Sequence, residues 1–254
     1  MNHDKRFFPL TLGIGTLFLF SACTGTPASA QEQETPSSKL PAPSRSGAPS
    51  LQAAPAPGAE DFPWSKSPPF SSHDFDKPLP KEAKDGLQVA ILAGGCFWCL
   101  EAVYELMPGV IDVVSGYIGG EGDRPSYQYV SMGRSNHAEA VRIVYDPAIV
   151  SYDQLLDMFW KIHNPTTLNR QGYDIGTQYR SAIFYMGEEQ KKAAAASIQR
   201  QQPKWASKIV TEVVPAGDFW IAEEYHQDFF RKNPDYGYCV AVVAPKVEKS
   251  GLAR

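Results

Sequence analysis

The chain has 254 residues, of which 20% are charged, and a formal net charge of −4. This weakly acidic balance argues against proteins that bind nucleic acid or membrane surfaces through basic patches. The length allows one or two domains, and the uneven composition divides the chain into three parts.

The first part is typical of an export signal. A positively charged start precedes an apolar run over residues 7–20, and small residues lead to Cys23. This layout is too short for a membrane-spanning helix. The ending FSAC resembles a bacterial lipobox, and cleavage without lipidation is the alternative. We predict a signal peptide over residues 1–22 and a lipid anchor on Cys23, the protein's only membrane contact. The exported protein would then be periplasmic or anchored to a membrane. Thr24 rather than Asp follows the cysteine, which in Gram-negative lipoproteins favours the outer membrane.

The second part, residues 23–86, is rich in Pro, Ala and Ser. Such a segment buries too little apolar surface to offset the entropy lost on ordering, so we predict a disordered linker. Aromatic residues near its end, such as Phe75, leave open a contact with the folded part.

The third part, residues 87–254, alternates strand and helix patterns. We predict strands in 87–94, 110–120, 137–147, 179–187 and 209–216, helices in 97–107, 151–165, 188–202 and 219–233, and a loop-like tail from residue 234. This order predicts an α/β (α+β) fold, a two-layer sandwich with a central mixed sheet flanked by helices. A phosphate-binding glycine motif does not follow the first strand, so we expect no nucleotide cofactor.

Two cysteines mark the start of the first helix. Cys96 follows a pair of glycines, and the helix start is expected to favour its thiolate form. Cys99 lies one turn further on, near enough for a disulfide if the turn permits the geometry. A CxxC pair is ambiguous between redox and metal chemistry, and two buried structural cysteines are a third interpretation. A structural zinc site needs four ligands and the sequence lacks a second paired motif, which favours redox chemistry.

Five segments together resemble the peptide methionine sulfoxide reductases of the A type. They are GCFW at 95–98, SNHAEAV at 135–141, GYDIGTQYRS at 172–181, AEEYHQDFF at 222–230 and NPDYGYC at 233–239. The resemblance implies that residues 87–254 form a monomeric catalytic domain. Its activity would be the thiol-dependent reduction of the S epimer of methionine sulfoxide, in proteins or free, without a bound cofactor.

The resemblance also implies the catalytic groups. Cys96 would attack the sulfoxide sulfur, and Glu139 would protonate the oxygen. A carboxyl group with this role must stay protonated near neutral pH, which requires burial. The strand pattern alone leaves Glu139 equally compatible with an inward or an exposed position, and the matching motif decides for the catalytic role. Tyr127 and Tyr179 would donate hydrogen bonds to the sulfoxide oxygen, although Tyr129 competes with Tyr127 on sequence alone.

Further residues match the substrate pocket and the regeneration route. Asp174 would lie near the two tyrosines, and Phe97 and Trp98 would form the pocket for the substrate methyl group. The resulting sulfenic acid would be resolved by Cys239, by Cys99 or by a relay through both. A thioredoxin-like partner would supply the electrons.

Two other functions remain open at this point. One is a general CxxC disulfide oxidoreductase, and the other is a metal-binding lipoprotein. Neither accounts for Glu139, Tyr127 and Tyr179. His163 and His226 are expected to be structural or to lie at the rim of the site, and His137 is expected to help position the loop. None of the three is expected to be catalytic.

Overall fold

The computed structural model describes residues 74–122 and 124–252. The predicted signal peptide, Cys23 and most of the predicted linker lie outside these residues. No helix within the described ranges is long and apolar enough to cross a membrane.

Eight strands and six α-helices make up this part of the chain. The strands are β1 (Gln88–Gly94), β2 (Val110–Ile118), β3 (Ala138–Tyr145), β4 (Arg170–Gln171), β5 (Asp174–Ile175), β6 (Ser181–Tyr185), β7 (Glu212–Pro215) and β8 (Trp220–Ile221). The helices are α1 (Phe97–Tyr104), α2 (Tyr127–Ser131), α3 (Tyr152–Ile162), α4 (Glu188–Gln201), α5 (Phe229–Lys232) and α6 (Ala244–Ser250). Helix α3 begins with a capping box, in which Ser151 and Gln154 bond reciprocally.

Six of the strands form one mixed sheet in the order β7-β6-β1-β3-β2-β8. The pairs are antiparallel except β6 with β7, which are parallel. Strands β4 and β5 form a separate two-stranded hairpin. Strand β3 is buried along its whole length, because apolar clusters cover both faces of the sheet. The mixed α/β sandwich predicted from the sequence is confirmed.

Strand β3 decides which side chains reach the site. Val141 and Ile143 belong to the larger apolar cluster, which also contains Cys96 and Phe97. Because side chains alternate along a strand, Glu139 points to the same face. Its backbone pairs with that of Tyr117 in β2.

Two predicted elements were wrong. The helix expected over residues 219–233 is instead β8, a 3-10 turn at Glu224–His226 and the short helix α5. The backbone at Asp228 is left-handed, with φ 55°, which interrupts a continuous helix. The tail expected to be a loop contains a π-helical turn, Cys239–Val243, followed by α6.

Part of the segment before residue 87 contacts the sheet. Leu79 forms a bridge with Phe219. The Lys81 ammonium donates to the carbonyl of Ala216 at 2.6 Å. Phe75 packs against the smaller apolar cluster. Phe75, Leu79 and Lys81 of the predicted linker therefore lie against the folded part.

Candidate active site

The loop between β1 and α1 places Cys96 at the start of the helix. Gly95 has φ 98°, and a Cβ there would lie 2.6 Å from Cγ of Gln171, so the position requires glycine. Cys96 is the residue before the first turn of α1 and is 6% exposed. The next residue, Phe97, donates its backbone N–H to Oε2 of Glu139 at 3.2 Å. This hydrogen bond holds the carboxyl group of Glu139, on β3, beside Cys96.

A pocket of about 260 Å³ opens at this point. Seven of its lining residues are those predicted as catalytic or substrate-binding from the sequence. They are Cys96, Phe97, Trp98, Tyr127, Glu139, Asp174 and Tyr179. Tyr236 and Tyr238, from the tail, also line it. The remaining two predicted site residues, Cys99 and Cys239, are fully buried in the apolar cluster next to the pocket.

Glu139 is suited to carry a proton at neutral pH. Its side chain is buried on the inner face of β3. Burial raises the pKa of Glu139 from 4.5 to about 8, and the nearby carboxylate of Asp174 adds to the rise. The hydrogen bond from Phe97 acts in the opposite direction but is the weaker effect. The pocket therefore contains a carboxylic acid rather than a carboxylate near pH 7.

The thiols of Cys96 and Cys99 share a hydrogen bond. Burial raises the pKa of Cys96 well above its ordinary value, which opposes the lowering expected at a helix start. The hydrogen bond between the two thiols lowers the pKa of Cys99 to about 7, and Lys246 of α6 contributes to that lowering. The three cysteines in the described ranges, including Cys239, are free.

Aromatic rings form the apolar side of the pocket. Trp98 stacks on Phe229 of α5, with ring centroids 3.7 Å apart and planes 6° from parallel. Tyr238 meets Trp98 edge-on at 5.9 Å. The Tyr238 hydroxyl donates to Oδ2 of Asp174 at 2.6 Å, which ties the tail to the β4–β5 hairpin. Asp174 is therefore near the pocket tyrosines, as expected, but its direct partner is one that the sequence did not indicate.

The two predicted hydroxyl donors are both half-buried at the pocket. Tyr127 is the first residue of α2, and Tyr179 ends the 3-10 turn Thr177–Tyr179. Burial raises the pKa of Tyr127 to about 12 and also raises that of Tyr179, so both hydroxyl groups hold their protons. Tyr129, the competing candidate, is 48% exposed and does not line the pocket.

The comparison with known proteins agrees with this arrangement. The family model for peptide methionine sulfoxide reductase matches residues 88–252. The chain belongs to the peptide methionine sulfoxide reductase family. It is therefore an enzyme that reduces methionine sulfoxide.

Relatives and solved structures cover the same part of this reductase. Peptide methionine sulfoxide reductase MsrA 1 of Rhodopirellula baltica is 53% identical over 176 residues, which span 69% of this chain and 92% of that protein. The MsrA of Nautilia profundicola is 56% identical over 160 residues, 63% of this chain and 92% of that protein.

Two solved structures have the same fold. Mxr1 of Saccharomyces cerevisiae in its reduced form has a TM-score of 0.60 at 38% identity and covers 63% of this chain and 92% of its own. Methionine sulfoxide reductase A of Corynebacterium diphtheriae has a TM-score of 0.59 at 33% identity and covers 69% and 95%.

The histidines of the reductase occupy the structural positions expected of them. His163 is buried, with Nδ1 2.6 Å from the Phe159 carbonyl and Nε2 2.8 Å from Oγ of Ser181. Burial lowers the pKa of His163 to about 3 and that of His226 to about 4, so both are neutral near pH 7. The His226 ring packs 5.0 Å from Phe97, directly behind the pocket.

Sequence reasoning missed four residues at or behind the reductase pocket: Tyr236, Tyr238, Phe229 and Glu223. All four lie in segments that match the family, but these segments have no distinctive motif for a pocket wall. Glu223 accepts hydrogen bonds from Tyr117 and Tyr127. Its neighbour Glu224 is also acidic, so the local sequence does not distinguish the two residues.

Among the described residues, no group of three or more His, Cys, Asp or Glu side chains is arranged to hold a metal ion.

Proposed function

We propose that this reductase acts on the S epimer of methionine sulfoxide, in proteins or free, with Cys96 as the nucleophile and Glu139 as the acid. One observation carries the proposal: a buried carboxyl group with a raised pKa lies beside a buried thiol in the same pocket. A sulfoxide sulfur is electrophilic, but its oxygen leaves only when it is protonated. A soft nucleophile and a neutral acid are therefore the two groups that the reaction needs.

The first half of the reaction transfers the sulfoxide oxygen to the Cys96 sulfur. The Cys96 sulfur attacks the sulfoxide sulfur while Glu139 donates its proton to the oxygen. The thiol proton of Cys96 passes to the Glu139 carboxylate, so the acid is restored. The hydroxyl group then moves from the substrate sulfur to the Cys96 sulfur, so the S–O bond of the substrate and the S–S bond formed by the attack both break. Methionine leaves with the electron pair of the S–S bond, and Cys96 becomes a sulfenic acid. Cys96 is oxidised by two electrons and the substrate is reduced by two.

The pocket residues orient the substrate in this scheme. The hydroxyl groups of Tyr127 and Tyr179 donate hydrogen bonds to the sulfoxide oxygen, where negative charge develops. Phe97 and Trp98 contact the methyl group. Asp174 holds Tyr238 in place at the open side of the pocket.

Regeneration uses the other thiols. The thiol of Cys99 or Cys239 attacks the sulfenic acid, which forms a disulfide and releases water. A dithiol protein of the thioredoxin type then reduces the disulfide by exchange. The hydrogen bond between the Cys96 and Cys99 thiols supports a first disulfide between them, and the electrostatic interaction of Cys239 with Cys99 supports a second one.

The decisive experiment is a single turnover without added reductant. The purified chain is mixed with the separate S and R epimers, and methionine and free thiols are counted afterwards. We expect methionine from the S epimer alone, with two thiols lost for each product molecule. Turnover of the R epimer would contradict the proposed specificity. Methionine formation without thiol loss would contradict the cysteine mechanism.

We also propose that the enzyme is exported and anchored through a lipid on Cys23. The proposal rests on the charged start, the apolar run over residues 7–20 and the FSAC ending. Expression of the full chain in a Gram-negative host with labelled palmitate tests it. We expect label in the membrane fraction for the wild type and none for Cys23→Ser. Unlabelled wild-type protein in the cytoplasm would refute it.

A further inference from the structure

Glu223 lies behind the aromatic side of the pocket, between β8 and the 3-10 turn Glu224–His226. Its Oε1 accepts a hydrogen bond from the backbone N–H of Tyr127 at 2.8 Å, and its Oε2 accepts one from the hydroxyl of Tyr117 at 2.8 Å. Both oxygens of one carboxylate are therefore bound by tyrosines from different elements. Hydrogen bonds to an ionised acceptor are roughly twice as strong as those between neutral groups.

Both tyrosines belong to the surroundings of the reactive thiol. The Tyr117 ring lies 5.8 Å from the ring of Phe97, the residue after Cys96. The Tyr127 ring lies 4.5 Å from that of His226, whose Nε2 is 3.9 Å from the Glu223 carboxylate. A single side chain thus contacts three of the aromatic residues around the pocket.

The helix that carries Tyr127 depends on contacts from outside. Helix α2 has only five residues, too few to be stable by itself in water. Its N-cap, Ser126, accepts a long hydrogen bond of 3.4 Å from the N–H of Tyr129. The first N–H groups of a helix have no partner within it, and Glu223 binds the N–H of Tyr127. Glu223 therefore fixes the position of the backbone from which the Tyr127 side chain extends.

We propose that Glu223 is a positioning residue for catalysis, which holds Tyr127 so that its hydroxyl group reaches the sulfoxide oxygen. The inference rests on the role of Tyr127 in the proposed function. Glu223 touches neither substrate nor the reacting atoms, and it acts through Tyr127. Its removal leaves the hydroxyl group present but misplaced.

A double-mutant cycle in single-turnover reduction of free S-methionine sulfoxide tests this role. We expect Glu223→Ala to lower the rate constant at saturating substrate by between roughly tenfold and a hundredfold, the range for a misplaced catalytic group. Tyr127→Phe removes the hydroxyl group, so in that background Glu223→Ala should not lower the rate constant further. In combination with Tyr179→Phe, whose hydroxyl is held by another segment, the two losses should multiply. A merely structural defect would lower the rate in both backgrounds alike.

Two further variants serve as controls. Glu223→Gln keeps an oxygen that accepts a hydrogen bond from the Tyr127 N–H. Its amide N–H can donate to the oxygen of the Tyr117 hydroxyl group, so we expect this variant to retain most of the wild-type rate. Glu224→Ala alters the exposed neighbour and should match the wild type in rate and thermal stability. Glu223→Ala at the wild-type rate would overturn the proposal, and so would an equal further loss in the Tyr127→Phe background. If Tyr127→Phe alone has no effect, the proposed role of Tyr127 fails as well, so the two failures are distinguishable.

Discussion

Replacing Glu139 by Gln removes the proton that the proposed mechanism delivers to the sulfoxide oxygen but keeps the shape of the side chain. The amide oxygen can still accept the hydrogen bond that the Phe97 N–H gives to the carboxylate at 3.2 Å. General acid catalysis by a positioned side chain contributes roughly 10²- to 10⁴-fold. We expect the single-turnover rate constant of Glu139→Gln to fall by a factor in that range, with the pocket otherwise intact.

The same substitution changes how stability depends on pH. Burial raises the pKa of Glu139 from 4.5 in its ordinary environment to about 8 in the folded protein. Between these values the folded state holds a proton that the unfolded state has released, so the free energy of unfolding falls as the pH rises. At about 1.4 kcal/mol for each pKa unit, this fall is on the order of 5 kcal/mol. The Glu139→Gln variant cannot ionise at this position. Its free energy of unfolding should therefore not show the decrease with rising pH that Glu139 causes in the wild type.

Two assays over the same pH series measure these effects. Denaturant unfolding of wild type and variant gives the difference in stability. That difference isolates Glu139 from Glu101 and Glu105, whose pKa values burial also raises, to about 8 and about 9. Single-turnover rates should decline above about pH 8 in the wild type, as Glu139 loses its proton, and not in the variant. The reasoning is refuted if the variant keeps the wild-type rate, or if its stability falls between about pH 5 and pH 8 as steeply as that of the wild type.

Four further outcomes follow from the geometry. Cys239→Ser should still lose two thiols in the first turnover but should not be recycled by thioredoxin, whereas Cys99→Ser should accumulate sulfenic acid, detectable with dimedone. Arg180→Ala removes a buried guanidinium that donates to three backbone carbonyls, and urea unfolding should show a loss of about 2–5 kcal/mol. Gly176→Ala places a methyl group against Gln178 at φ 147°, and the same assay should show a loss of roughly 1–3 kcal/mol.

The sequence predicts the site residues best where they lie on or next to a regular strand or helix. The strand pattern of β3 leaves the direction of Glu139 open, and the SNHAEAV motif on the same strand decides for the face of Val141, which covers the thiol. Two glycines between a strand and a helix place Cys96 at the junction. Each of these positions depends on a few neighbouring residues, so a short segment is sufficient to infer it.

The sequence-based prediction of secondary structure is wrong where contacts between residues far apart in the sequence determine the backbone conformation. The periodicity of residues 219–233 favours a helix, yet Trp220 and Ile221 gain more by pairing with β2. Glu223 follows them with φ −51° and ψ 146°, which is not helical, and its carboxylate reaches tyrosines about a hundred positions earlier in the chain. The apolar residues of the tail likewise become helical because Val243 and Val247 pack into the main cluster. None of these partners can be recognised from the local pattern.

The burial of the thiols bears on the order in which they react. Cys99 shares a turn of α1 with Cys96, so its thiol lies next to a nascent sulfenic acid, and the nearby Lys246 lowers the pKa of Cys99. Cys239 is fully buried at the start of the π-helical turn, and burial raises its pKa. Attack by Cys99 therefore needs only an adjustment of the first helical turn, whereas Cys239 must leave its buried position. A protein reductant, however, needs an accessible disulfide. We therefore expect Cys99 to resolve the sulfenic acid and Cys239 to receive the disulfide afterwards, with a movement of the tail that releases the Tyr238 hydroxyl from Asp174.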